Sequence, residues 1–183
     1  LGDNFFYGQN LSKKLNQLTS LKKGAKILLH KVNKPENYGV AKLDKNNKIS
    51  KLIEKPKKFV SDLAVTGLYY FDNKVVKLSK ELKPSKRGEI EIIDLINKYK
   101  KLGELKGDLI GRGSAWLDTG TIGDFYKTSA FVEAIENRQG LKIACIEEIA
   151  FNNKWIGKKQ IKISIKFYGN CEYSIYLKKL LNQ

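Results

Sequence analysis

The succession of segments predicts an α/β protein with helices on both faces of a sheet, and three observations carry that reading. Strand-like runs rich in β-branched and aromatic residues are interleaved with segments of helical spacing. The run Ala25-Lys26-Ile27-Leu28-Leu29-His30-Lys31-Val32 is apolar almost throughout, as a strand inside a covered sheet would be. No repeat or low-complexity linker interrupts the 183 residues, which suffice for one core with a small appendage.

The elements follow in order. A helix begins near Leu11 and closes at Lys22-Lys23-Gly24, and residues 25 to 32 form the next strand. Tyr38 to Asp44 and Lys48 to Glu54 both alternate and make a hairpin across Lys45-Asn46-Asn47. Ala64 to Phe71 is a strand, and Lys74 to Leu82 a helix that stops before Pro84. Ile90 to Leu102 sets Ile92, Ile93, Leu95, Ile96 and Tyr99 on one broad helical face that Gly103 ends. Glu104 to Ile110 and Ser114 to Leu117 are short strands. Thr121 to Gln139 is the clearest helix, with Ile122, Phe125, Tyr126, Ser129, Val132 and Ile135 at helical spacing, Thr121 as cap and Gly140 as stop. Beyond it the pattern predicts a strand over 141 to 145, a helix over 147 to 152, a strand over 161 to 167 and a helix over 173 to 181.

Composition narrows the function. The formal charge is +16, but only Arg87, Arg112 and Arg138 of the 35 basic residues are arginine. Bidentate reading of phosphate and guanine prefers arginine, so scattered lysines argue for a solvated surface and against a nucleic-acid partner. The field still draws anionic nucleotides and sugar phosphates. No apolar run approaches the ~20 residues of a membrane span. Cys145 and Cys171 have neither the number nor the spacing of a disulfide framework or zinc site and read as reduced thiols of a cytoplasmic protein. The single histidine, His30, lies on a strand, which leaves Ser-His and Cys-His nucleophile schemes without support.

Two aspartates stand out. Leu1-Gly2-Asp3-Asn4 and Trp116-Leu117-Asp118-Thr119-Gly120-Thr121 each set one carboxylate at the end of a strand. In open α/β sheets, ligands sit beyond the carboxyl ends of the strands. Two carboxylates brought together there can hold a divalent metal over a phosphate. Taken singly, either is as well explained by a cap or an Asx-turn. Glu54-Lys55-Pro56 offers a carboxylate for sugar hydroxyls and a lysine for phosphate, or is a charged strand end before proline. Tyr38-Gly39-Val40 offers an unobstructed N–H, or an ordinary strand start. Ala64-Val65-Thr66-Gly67 presents main-chain groups to a ring, or bends at its glycine. Arg87 in its basic loop is a phosphate grip or a solvated cation. Trp116 walls a pocket or fills a core.

In this order the motifs resemble the glucose-1-phosphate thymidylyltransferases. The matched set runs through Leu1-Gly2-Asp3-Asn4, Tyr38-Gly39-Val40, Glu54-Lys55-Pro56, Ala64-Val65-Thr66-Gly67-Leu68-Tyr69 and Arg87-Gly88-Glu89-Ile90-Glu91-Ile92. It continues with Trp116-Leu117-Asp118-Thr119-Gly120-Thr121, Arg138-Gln139-Gly140-Leu141-Lys142 and Glu147-Glu148-Ile149-Ala150-Phe151. The resemblance implies part of a Rossmann-like mixed, mostly parallel sheet flanked by helices. Residues 1–151 would be the later portion of a catalytic domain, and 152–183 an accessory helical region. It implies a nucleotidyltransferase that joins glucose 1-phosphate to dTTP, releasing pyrophosphate, in a cytoplasmic homotetramer. Asp3 and Asp118 would hold Mg2+, with Lys55 as the third catalytic group. Asn4, Tyr38, Gly39, Glu54, Lys55, Val65, Arg87 and Trp116 would line the substrate pocket. Related transferases that take UTP or another sugar 1-phosphate, and a non-catalytic sugar-phosphate module, remain open. The family's glycine-rich nucleotide-binding segment has no counterpart in this sequence, so the resemblance implies a fragment inactive by itself.

Overall fold

A computed structural model describes residues 2–182. Leu1 of the opening motif lies outside them. The described residues form two compact units, one reaching Asp124 and one starting at Phe125.

The first unit is built on a five-stranded sheet in the order β4-β3-β5-β2-β6. Its strands are β2 (Ala25–Lys31), β3 (Gly39–Leu43), β4 (Ile49–Glu54), β5 (Leu63–Phe71) and β6 (Leu105–Leu109). The sheet is mixed: among the described pairings only that of β2 with β6 is parallel. The expected hairpin is present. Asp44 Oδ1 accepts the N–H groups of Asn46 (2.8 Å) and Lys48 (2.9 Å), and Asn47 takes φ 58°, which an asparagine tolerates. A second ribbon pairs β1 (Asn4–Gly8) antiparallel with β7 (Ser114–Asp118).

Both faces of the large sheet are covered, as the apolar run through β2 foretold. Ile27 and Leu29 join Val65, Ile93 and Ile96 on the face under α3 (Ile92–Lys101). Leu28 points the other way, to Leu18 of α1 (Leu11–Thr19) and Ile110. Period-two alternation thus distributes one strand's side chains between two cores. The short α2 (Val75–Lys80) packs Val75 and Leu78 toward Leu95 and Tyr99 of α3. Buried Tyr99 donates to Asp72 Oδ1 at 2.8 Å, and Asp72 also accepts the N–H of Gly24 at 2.7 Å.

α4 (Ile122–Gln139) matches the expected helix and continues from the first unit into the second. Asp124 N bonds the capping Thr121 Oγ1 at 3.1 Å. The second unit adds α5 (Ile146–Asn152), α6 (Lys158–Tyr168) and α7 (Glu172–Leu181) around Cys145, Ile161, Tyr176, Leu177 and Leu180. Glu147, buried in this helical core, accepts the Tyr173 hydroxyl at 2.5 Å. Burial alone would raise its pKa, but bonds from Tyr173, Tyr168 and Ser164 outweigh that and hold it below the usual range. Both cysteines are free thiols.

Two local expectations are overturned. Residues 161 to 167 are helical, not a strand. Residues 141 to 145 are not a strand either. Ala144 sits at φ 55°, which breaks an extended run, and Ile143 N bonds Glu136 Oε1 of α4 at 2.9 Å instead of a neighbouring strand.

Candidate active site

The ribbon of β1 and β7 brings the two aspartates together. Its register sets Asn4 opposite Asp118. Asp118 is the last residue of β7, as expected. Asp3, expected at a strand's end, instead stands just before β1 begins, and antiparallel pairing makes these two positions neighbours. Thr119 fastens the junction, bonding Asp3 O through its N–H at 2.7 Å and its hydroxyl at 3.0 Å. Gly120 N bonds Asp118 Oδ1 at 3.0 Å. A Cβ built on Gly120 would lie 3.2 Å from Asp118 Oδ1 and 3.9 Å from Asp3 Oδ2, so both carboxylates converge beside that glycine.

They open on one cavity of about 200 Å³, lined also by Tyr38, Gly39, Glu54, Lys55, Val65 and Tyr69. The hairpin supplies the wall opposite the aspartates. Gly39 pairs with Glu54 across β3 and β4, and a Cβ on Gly39 would sit 2.6 Å from Ile93 Cδ1 and 3.0 Å from Glu54 Oε2. The glycine is therefore required for space. Glu54 is half-buried, and burial first, then the charge of Glu91, push its pKa up against the pull of Lys55 and Arg87. Lys55 is exposed at φ 39°, a left-handed conformation that a residue before proline rarely adopts. Strain of about 1–3 kcal/mol of this kind collects at functional sites. Its N–H is tied to Tyr38 O at 3.0 Å.

Tyr38 stacks obliquely on Trp116 with ring centroids 5.1 Å apart, and its pKa is raised by burial and then by Asp118 and Asp124. Burial, with Glu54 and Asp3 nearby, pushes Tyr69 up to about 12. Trp116 lines the same cavity but is nearly buried, and its indole N–H is given to Asn4 Oδ1 at 2.7 Å. His30 lies edge-on behind it at 6.1 Å. Arg87 is not among the cavity-lining residues. Its guanidinium pairs with Glu54 (3.8 Å), Glu89 (3.1 Å) and Glu91 (3.3 Å), so it offsets the charge of one cavity-lining carboxylate and two neighbouring ones.

Asn37, Gly67, Tyr69, Ile92 and Ile93 also line the cavity; Gly67, Tyr69 and Ile92 stand in the matched motifs but are not singled out as site residues, and Asn37 and Ile93 lie outside those motifs. A signal for two of them was available: with Val65 taken as a lining residue, period two along β5 carries Gly67 and Tyr69 to the same face. Among the described residues no group of three or more His, Cys, Asp or Glu side chains is placed to hold a metal. The converging pair of carboxylates still fits a hard divalent cation, since such ions are commonly held by one or two protein carboxylates with phosphate oxygens and water completing the shell.

Comparison with known proteins bears on this arrangement. Residues 1–135 match the family model described as nucleotidyl transferase. A glucose-1-phosphate thymidylyltransferase of Neisseria gonorrhoeae is 43% identical over all 183 residues, which span 64% of that relative. The enzyme of the same name from Xanthomonas campestris pv. campestris is 45% identical over 180 residues, 98% of this chain and 61% of its own. The chain therefore spans just under two thirds of the curated relatives it matches. A Bacillus anthracis protein crystallised with sucrose shares 43% identity and superposes with a TM-score of 0.62, covering 72% of this chain and 52% of that one. A UDP-glucose pyrophosphorylase in complex with UDP-glucose, at 21% identity and a TM-score of 0.61 over 73% of this chain and 55% of that one, shares the fold. With the family model covering most of the chain and the acidic pair, the hairpin wall and the Glu54-Lys55-Pro56 turn gathered on one cavity, the chain belongs to the nucleotidyl transferase family.

Proposed function

We propose that this chain carries the sugar-phosphate half of a glucose-1-phosphate thymidylyltransferase, which joins glucose 1-phosphate to dTTP and releases pyrophosphate. The observation that carries the reading is the convergence of Asp3 and Asp118 on the cavity that Glu54 and Lys55 also line. The names of the relatives at 43% and 45% identity support the thymidylyl specificity.

The sugar phosphate is already ionised and needs no general base. Its oxygen attacks the α-phosphorus in line, and the bond to pyrophosphate breaks. Asp3 and Asp118 are the residues that would hold Mg2+, which when bound offsets charge on the phosphate oxygens. Glu54 accepts sugar hydroxyls, while Gly39 and Val65 line the ring's side of the pocket. Lys55 lies next to Glu54, suited to the phosphate of the same substrate. Tyr38 and Trp116 make the aromatic wall. Arg87 serves this site by balancing Glu54 and Glu91, and reaches phosphate only by leaving them. A cytoplasmic homotetramer is the assembly that accords with this reading.

The test is turnover of glucose 1-phosphate with dTTP by the intact protein and by Asp118→Asn. Loss of one preorganised electrostatic contact costs ~100–1,000-fold in turnover. Near-normal activity of the variant would refute the metal assignment, and preference for UTP over dTTP would refute the thymidylyl reading.

A further inference from the structure

The Asn4 side chain is pinned at both of its ends. Its Oδ1 accepts the N–H of Gly67 at 2.9 Å and the indole N–H of Trp116 at 2.7 Å. Its Nδ2 donates to Asp3 Oδ1 at 2.9 Å. A carbonyl oxygen has two lone pairs, so both are used. The reversed amide would aim an NH2 group at two N–H donors, so only one orientation satisfies the surroundings. The surroundings are themselves fixed. A Cβ on Gly67 would overlap the Asn4 amide, which accounts for the glycine of the Val65-Thr66-Gly67 motif. Trp116 is 8% exposed and sits against the rings of His30 and Tyr38. Elements β1, β2, β5 and β7 all contribute to the frame.

The consequence falls on Asp3. Its Oδ1 is engaged by Asn4, while its Oδ2 is the oxygen near Gly120, where Asp118 Oδ1 also lies. A hydrogen bond to one oxygen of a carboxylate fixes the rotation of the group and so the aim of the other. We propose that Asn4 is a positioning residue that turns Asp3 Oδ2 toward Asp118, and that its first duty is to this acidic pair instead of to the sugar. Its acceptor is saturated, which leaves a single N–H for any substrate. The inference rests on the reading of Asp3 and Asp118 as the cation's ligands.

The experiment titrates the intact protein with Mn2+ alone, without substrates, and follows free Mn2+ by electron paramagnetic resonance. Asn4→Ala is expected to weaken Mn2+ binding ~10–100-fold, the usual effect of removing a partner that orients a ligand. Trp116→Phe removes one of the two bonds to Asn4 Oδ1 and weakens binding in the same direction but by less. Circular dichroism and thermal unfolding establish that each variant is folded. Should Asn4→Ala fail to fold, Trp116→Phe decides the matter alone. Mn2+ affinity within about twofold of the parent in the folded variants would overturn the inference, as would a raised KM for glucose 1-phosphate with Mn2+ binding untouched. The underlying reading fails differently: Asp118→Asn then binds Mn2+ as the parent does, or the parent binds none, and the positioning role falls with it.

Discussion

Glu54 is held in an environment that works against its charge. It is half-buried beside Glu91, and together these raise its pKa despite the nearby Lys55 and Arg87. The sign for stability follows. A carboxyl whose folded pKa lies above its unfolded value favours the folded state when protonated, and above the folded pKa its ionisation is a standing penalty. Glu54→Gln removes that penalty and is expected to raise the unfolding temperature at pH 7. The advantage over the parent shrinks as pH falls toward 4, where the parent's own carboxyl takes up its proton. Under the proposed function, the same variant loses a charged acceptor for sugar hydroxyls. A hydrogen bond to a charged group contributes about 1.5–3 kcal/mol, so KM for glucose 1-phosphate should rise roughly 10–100-fold. Thermal scans at the two pH values and steady-state kinetics check both halves. A variant less stable than the parent at pH 7 would mean that the ion pair with Arg87 outweighs burial. By sequence, Arg87 in its basic loop is open between a phosphate grip and a solvated cation; in the structure it pairs with Glu89 and Glu91, two and four residues on.

At the scale of elements, the packing of β3 on α3 sets the width of the cavity. Gly39 faces Ile93, which is 2% exposed and packed in the core under α3. Gly39→Ala is expected to destabilise by about 1–3 kcal/mol, the usual cost of forcing a methyl into a filled core. At this size that corresponds to about 2–4 °C in unfolding temperature per kcal/mol. Ile93→Ala removes both the Cδ1 and the Cγ1 that the new methyl would meet, so the double variant should cost less than the two singles added together. Strict additivity would show that the strand and helix separate instead of clashing. The elements themselves were largely legible, because capping residues, glycine stops and the asparagine turn are local signals. The exceptions are residues 141 to 145, where Ala144 at φ 55° breaks the extended run, and α6. Ile161 and Ile165 are four apart, a spacing that fits a strand and a helix equally. Ile163 and Phe167, which completed the alternating pattern, are 59% and 81% exposed, whereas Ile161 is fully buried. The helix was marked instead by its ends: Gln160 Oε1 accepts Gly157 N at 3.0 Å, and Gly169 stops it at φ 69°. The convergence of Asp3 with Asp118 was legible only through the resemblance, since a register between strands a hundred residues apart leaves no local trace.

For the whole molecule the controlling quantity is charge. With 35 basic and 19 acidic residues, the net +16 leaves many lysines that no carboxylate can match. Two effects of salt then oppose each other. Screening weakens ion pairs such as Lys23–Glu104 (2.9 Å) and Lys98–Glu81 (2.8 Å), but exposed pairs contribute only about 0–1 kcal/mol each. Screening also relieves the repulsion among unmatched lysines, which acts over the entire surface and destabilises the compact state. The second effect should win. The unfolding temperature of the intact protein is expected to rise as NaCl is raised from low concentration, with most of the gain reached by ~0.15 M, where the screening length has fallen to about 8 Å. Chloride is the useful salt for the measurement, because sulfate and phosphate strengthen burial by exclusion and would mask the electrostatic part. An unfolding temperature that stays level or falls over that range would mean that the few pairs seen here outweigh the diffuse field. The lysines would then be matched by acidic surface contributed from beyond these residues, which titration of the net charge by electrophoresis of the intact protein would reveal.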